Sequence, residues 1–144
     1  MLTENDNTFG KREHLCRKTL IDQLFSGKSR ALTAWPLKMV YLLVDKKEQE
    51  SAPVELMASV SKRFFKRAVK RNRVKRQIRE AYRTQKHGLL EHMAQMPDKQ
   101  LLIAVIWQDG KLHDSDEIDA KMQKNLQRLV ERLSNESGTT SLAE

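Results

Sequence analysis

The sequence predicts an α+β fold, with helices packed on a small β-sheet, and three observations lead to it. The runs 37–44 (LKMVYLLV) and 101–107 (LLIAVIW) are apolar at most positions on both faces, as covered strands are. Between them Val54, Leu56, Ala58 and Val60 alternate with Glu55, Met57 and Ser59, the period of a strand with one inward face. Segments with helical spacing lie before, between and after these strands, in the order helix, strands, helix, strand, helix.

The chain has 144 residues. That length suits one domain, which would bury roughly two-thirds of its unfolded surface. The polar first dozen residues and the segment SNESGTTSLAE at the end have little to bury. Residues 1–10 are therefore expected to be flexible, 11–134 to form a single domain, and 135–144 to be a disordered tail. Leu20, Ile21, Leu24 and Phe25 make one apolar face on a short helix that Gly27 is placed to stop. Trp35, just before Pro36, reads as a turn residue.

The stretch from about Ala68 to Arg83 contains no Gly or Pro and reads as a helix. Val74, Ile78 and Ala81, with Tyr82 at the margin, form its apolar face, while Asn72, Arg76, Arg79 and Arg83 fall opposite. Leu89, Leu90 and Met93 continue helical toward Pro97. Ile118, Met122, Leu126, Leu129, Val130 and Leu133 mark the last helix, with Asp114 and Glu117 spaced as a capping box.

Charge locates the function. The formal net charge of +8 resolves into +1 for residues 1–61, +10 for residues 62–83 and −3 for residues 84–144. The middle segment holds 11 basic side chains and the single carboxylate of Glu80. A face kept only for solubility mixes signs, whereas this one suits a polyanion. Arginine offers planar bidentate contact to phosphate, and Asn72 between Arg71 and Arg73 suits a sugar or base edge.

Enzymatic constellations are absent from the pattern. His14 and Cys16 are two apart, and His87 and His92 five apart, which match no common zinc spacing. The acidic run Asp114, Asp116, Glu117 and Asp119 lies at a helix start, where carboxylates serve the cap and the dipole. The glycines are isolated, so there is no phosphate loop. One cysteine excludes an internal disulfide framework, and no stretch approaches the ~18 apolar residues of a membrane span. A soluble cytoplasmic protein is expected. Single-stranded nucleic acid would also need aromatic platforms, for which Phe25, Tyr41, Phe64, Phe65 and Tyr82 are candidates. Core packing is the expectation for Phe64, Phe65 and Tyr82, whereas Tyr41 is open between core and groove.

The segment from Ser59 to Arg83 resembles the signature of the bacterial ribonuclease P protein component. The resemblance rests on Ser59, Ser61, Lys62, Ala68, Val69, Arg71, Asn72, Arg73, Val74, Lys75, Arg76 and Arg79 at the family's spacing. A looser match in order runs over roughly residues 9–134, including Leu15 to Phe25 and the strand with Tyr41. The resemblance implies a four-stranded mixed sheet in the order αβββαβα with a left-handed βαβ crossover. It implies an accessory subunit of an endoribonuclease that removes the 5′ leader of precursor tRNA, with the RNA subunit catalytic and magnesium (Mg2+) used by that RNA. No protein-borne catalytic residue or tightly bound metal is expected, and one protein per RNA is. The RNA-contacting set is Lys62, Lys66, Lys70, Arg71, Asn72, Arg73, Lys75, Arg76, Arg79 and Arg83. The leader cleft is assigned Ile21, Phe25 and Tyr41, with Ile21 standing where many members have Phe. Two other classes compete: a structural RNA-binding protein of the ribosome, and a protein-only nuclease.

Overall fold

The computed structural model describes residues 10, 13–15, 18–46 and 52–142. Most of the N-terminal segment, and Cys16, lie outside them. The elements are α1 (Lys18–Leu24), β1 (Arg30–Ala34), β2 (Leu37–Asp45), β3 (Val54–Ser59), α2 (Ala68–Gln85), α3 (His87–Met93), β4 (Lys99–Trp107) and α4 (Ser115–Leu142).

The strands form one mixed sheet in the order β1-β2-β4-β3. β2 pairs antiparallel with β1 and β4, and β3 pairs parallel with β4, the connection being made through α2 and α3. β4 is therefore central and buried at almost every position, which is why its sequence is apolar throughout. β1 is short and exposed at Arg30, Ala31 and Thr33, so its sequence alone shows little strand pattern. The β1–β2 turn is Trp35-Pro36, joined by a cis peptide bond. Gly27, at φ +97°, ends the α1 turn in the left-handed region that glycine enters at little cost.

Two apolar layers flank the sheet. On one face α2, α3 and α4 bury Val74, Ile78, Ala81, Tyr82, Leu89, Met93, Ile118, Met122 and Leu129 against Met39, Leu56, Ile103 and Trp107. On the other face the single short helix α1 sets Leu20 and Leu24 on Val40, Leu102 and Ala104. Leu42, Val44, Met57 and Ile106 on that face are only partly covered, because a helix of 7 residues cannot roof four strands.

Both sheet edges are occupied. His14 bridges to Leu56, and the Leu15 N–H donates to the Leu56 carbonyl at 3.0 Å, which extends the β3 edge. Along β1, Arg128 and Arg132 of α4 donate to the carbonyls of Thr33 (3.0 Å) and Ala31 (3.1 Å). An ion pair between Lys86 Nζ and Glu13 Oε1 (2.7 Å) ties the N-terminal segment to the α2–α3 junction, with the Lys86 side chain 3% exposed. Burial pushes the nearby Tyr82 phenol well above its usual range, and the Glu13 charge adds to the effect.

One expectation needs correction. Glu117 does not complete a capping box with Asp114: its carboxylate lies 2.6 Å from His113 Nδ1 instead. The helical backbone of α4 runs from Ser115 to Leu142. No proline interrupts it there.

Candidate nucleic-acid interface

The basic segment begins in a turn whose shape follows from its own side chains. Ser61 Oγ accepts from the Arg63 N–H at 3.1 Å, and the Ser61 carbonyl accepts from Phe64 and Phe65. Arg71, one turn into α2, donates through Nη1 to the carbonyls of Phe65 and Lys66, each at 2.8 Å. Ser61 and Arg71 thus set the angle at which the helix leaves β3. Phe65 and Tyr82 are core residues, and Phe64 is partly buried with the Arg63 guanidinium 5.1 Å from its ring centroid.

Along α2, Val74, Ile78, Ala81 and Tyr82 are buried, which turns the opposite side outward. There Asn72, Lys75, Arg76, Arg79 and Arg83 line one shallow groove of about 390 Å³, together with Glu80. Glu80 pairs with Arg83, whose Nε donates to Oε2 at 3.1 Å, and that bond holds the Glu80 carboxyl below its ordinary range. Among the described residues, Lys75, Arg76 and Arg79 are left as the unopposed cations of the wall. Lys62, Lys66, Lys70 and Arg73 are exposed but do not line it, and Arg71 is partly engaged in the preceding turn.

The far flank of α2 is pinned. Gln77 Nε2 donates to the His113 carbonyl and to Ser115 Oγ, both at 3.1 Å, and Gln85 Nε2 donates to the Asp119 carbonyl at 3.0 Å. His113 itself is clamped, with Nε2 2.7 Å from Asp109 and its ring edge-on to Trp107 at 5.2 Å. The bond to Asp109, then that to Glu117, raise the imidazole above its usual value, and His113 lowers Asp109. Sequence reasoning passed over this clamp, although the i, i+4 spacings 109/113 and 113/117 were its signal.

The sign of its pH dependence follows. With its folded value raised, His113 contributes stability that is fully present below the unfolded value of 6.5 and lost as pH rises through the folded value. Asp109, lowered, contributes above the unfolded value of 3.8 and loses its contribution as pH falls through the folded one. Urea midpoints of the protein and of His113→Gln, followed from pH 5 to pH 9 (a range of about four units around histidine titration), should converge as pH rises. Parallel curves would contradict the clamp.

The second surface is the thinly covered sheet face around α1. Ile21 is partly buried against it and Phe25, at the α1 C-terminus, is 50% exposed. Tyr41 is not there. It is 3% exposed and packs in the layer of α2, α3 and α4, on the opposite face of the sheet. Successive residues of β2 alternate, so Val40 and Leu42 face α1 while Leu37, Met39 and Tyr41 face away. An apolar run on both faces carries no phase, which is why the sequence left Tyr41 open. Its hydroxyl is buried without a hydrogen-bond partner among the described residues. Tyr41→Phe should accordingly leave RNA binding unchanged and hold or raise stability, by up to about 1 kcal/mol, in a denaturant titration. A loss of affinity at unchanged stability would return Tyr41 to the binding surface.

Among the described residues no group of three or more His, Cys, Asp or Glu side chains is arranged to hold a metal ion, and no helix is long and apolar enough to cross a membrane. A guanidinium-lined helix on an α+β scaffold has the charge and the donors of a polyanion-binding protein. Residues 9–132 match the family model described as Ribonuclease P. The chain is 40% identical over 125 residues to the ribonuclease P protein component of Porphyromonas gingivalis, covering 85% of this chain and 88% of that one. It is 38% identical over 111 residues to that of Chlorobium phaeobacteroides, covering 73% and 75% respectively. The RNase P protein from Thermotoga maritima shares the fold, at a TM-score of 0.55 and 22% identity over 81% of this chain and 96% of that one. The chain belongs to the ribonuclease P protein family. It is an accessory subunit of an endoribonuclease ribonucleoprotein that processes tRNA 5′ ends, with ribonuclease P RNA and a tRNA substrate as its partners.

Proposed function

We propose that the α2 groove is the seat of the catalytic RNA and that the α1 face receives the single-stranded leader of precursor tRNA. The observation that carries the first part is the convergence of Asn72, Lys75, Arg76, Arg79 and Arg83 on one wall. Lys62, Lys66, Lys70, Arg71 and Arg73 extend the same positive field around the start of the helix. Ile21 and the exposed Phe25 offer the leader an apolar and an aromatic contact. Residues 11–134 act as one domain, in the cytoplasm, with one protein per RNA. Magnesium (Mg2+) serves the RNA, which carries out the hydrolysis, and the protein lowers the concentration of metal and substrate that the reaction needs.

Reconstitution with an in vitro transcribed bacterial ribonuclease P RNA at low magnesium tests this. The protein should stimulate cleavage of precursor tRNA, and the complex should prefer precursor to mature tRNA. No stimulation would overturn the reading, and equal affinity for both tRNAs would remove the leader from the α1 face.

A further inference from the structure

A second basic surface lies on the opposite side of the helical layer from α2. α2 packs along one flank of α4, through Gln77 and Gln85, and β1 lies along the other. Three hydrogen bonds give the register on the β1 side: Arg132 to the Ala31 carbonyl (3.1 Å), Arg128 to the Thr33 carbonyl (3.0 Å) and Asn125 to the Leu37 carbonyl (3.4 Å). Helix and strand edge thus run antiparallel, and Lys124 falls at the register of the Trp35-Pro36 turn.

Lys121, Lys124, Arg128 and Arg132 project within about 80° of one another at 100° per residue. The spacing of Lys124, Arg128 and Arg132 is i, i+4, i+8, or about 6 Å of helix rise per step. Lys124, Arg128 and Arg132 are exposed, and Lys121 is half-buried. Arg128 and Arg132 each use Nη1 on β1, which leaves further donors of the guanidinium fork outward. Lys121 and Lys124 have no hydrogen bond or ion pair among the described residues. Two carboxylates share this side of α4: Glu117, which is held by His113, and Glu131, which falls about 20° from Lys124 at 100° per residue and also lines the groove with Gln85, Leu89 and Gln127. At the end of this row stands Trp35, 56% exposed, the most exposed aromatic among the described residues.

Cations in line beside an exposed indole have the chemistry of a nucleic-acid strand site, with phosphates on the row and a base on the ring. We propose that the α4–β1 flank is a second RNA contact, made with a segment of the same ribonucleoprotein RNA distinct from the one on α2. It rests on the reading of α2 as an RNA-binding helix. The two surfaces lie on either side of α4, so a single straight backbone cannot serve both.

The experiment is the salt dependence of binding to transcribed ribonuclease P RNA, for the full chain, for Lys121→Gln/Lys124→Gln and for Arg76→Gln. Neither lysine has a hydrogen bond or ion pair among the described residues and Gln keeps part of the aliphatic stem, so the double variant is expected to keep its fold, as circular dichroism would check. Its log–log salt slope should fall by about 1.5, at roughly 0.7–0.9 per cation removed. An unchanged slope for the lysine variant, with a reduced one for Arg76→Gln, overturns this inference and leaves the α2 reading standing. Unchanged slopes for both overturn the two together. Trp107 is fully buried, so quenching of tryptophan emission by RNA reports Trp35. The quench should disappear in Trp35→Phe; its persistence there, or its absence in the parent protein, would remove the ring from the contact.

Discussion

Replacing Lys75, Arg76 and Arg79 together with Gln is expected to weaken binding to ribonuclease P RNA about 100-fold or more near 0.1 M salt. These cations line the α2 groove without a carboxylate partner among the described residues. Each that neutralises a phosphate releases a counterion, contributing roughly 0.7–0.9 to the log–log salt slope, so the slope should fall by about 2–3. None of the three belongs to the buried stripe of Val74, Ile78, Ala81 and Tyr82, and Gln keeps part of each aliphatic stem, so thermal unfolding should move little. Arg83 is a built-in contrast. It is paired with Glu80, so Arg83→Gln removes a cation and also leaves that carboxylate unopposed in the groove, and should weaken binding at least as much as Arg76→Gln. A filter-binding salt series decides the matter: a triple variant with the parental slope would place the RNA elsewhere.

Lys86→Ala should cost about 3–5 kcal/mol of stability, the usual penalty for leaving one member of a buried ion pair without its partner. The pair is well enclosed, with side-chain exposures of 3% for Lys86 and 18% for Glu13, and it joins segments 73 positions apart. Loss of the ammonium leaves the Glu13 carboxylate with the Gly10 N–H (2.8 Å) and no cation, near the buried Tyr82 phenol, whose own ionisation burial already opposes. The combined change Lys86→Met/Glu13→Gln should recover much of the loss, since neither charge then remains desolvated. Urea titration of the three proteins measures this. A cost below about 1 kcal/mol for Lys86→Ala would mean that the pair behaves as an exposed one.

Most of the fold was legible because periodicity survives into the structure. The run 101–107 became the centre of β4, the alternation from Val54 became β3, and the stripe of Val74, Ile78 and Ala81 became the buried side of α2. β1 was the element that residue pattern missed, since RALTA has only two buried positions at a sheet edge. The candidate site divides similarly. Asn72, Arg76, Arg79 and Arg83 were placed on one face by helical spacing, and they share one groove. Tyr41 was misplaced by one step of a two-step pleat.

The sequence by itself determined that this chain is basic in one segment, that the segment is a helix with a guanidinium face, and that it carries the spaced signature of its family. These follow from charge counts and from a 3.6-residue period, both of which are local properties. Only the tertiary structure decided what met across long separations: Glu13 with Lys86, Gln77 with the clamped His113, Arg128 and Arg132 with the edge of β1. It also decided which face of β2 Tyr41 joined. Strand pairing and helix docking bring these groups together, and neither the register of a strand apolar on both faces nor the partner of a distant charge is encoded in neighbouring residues.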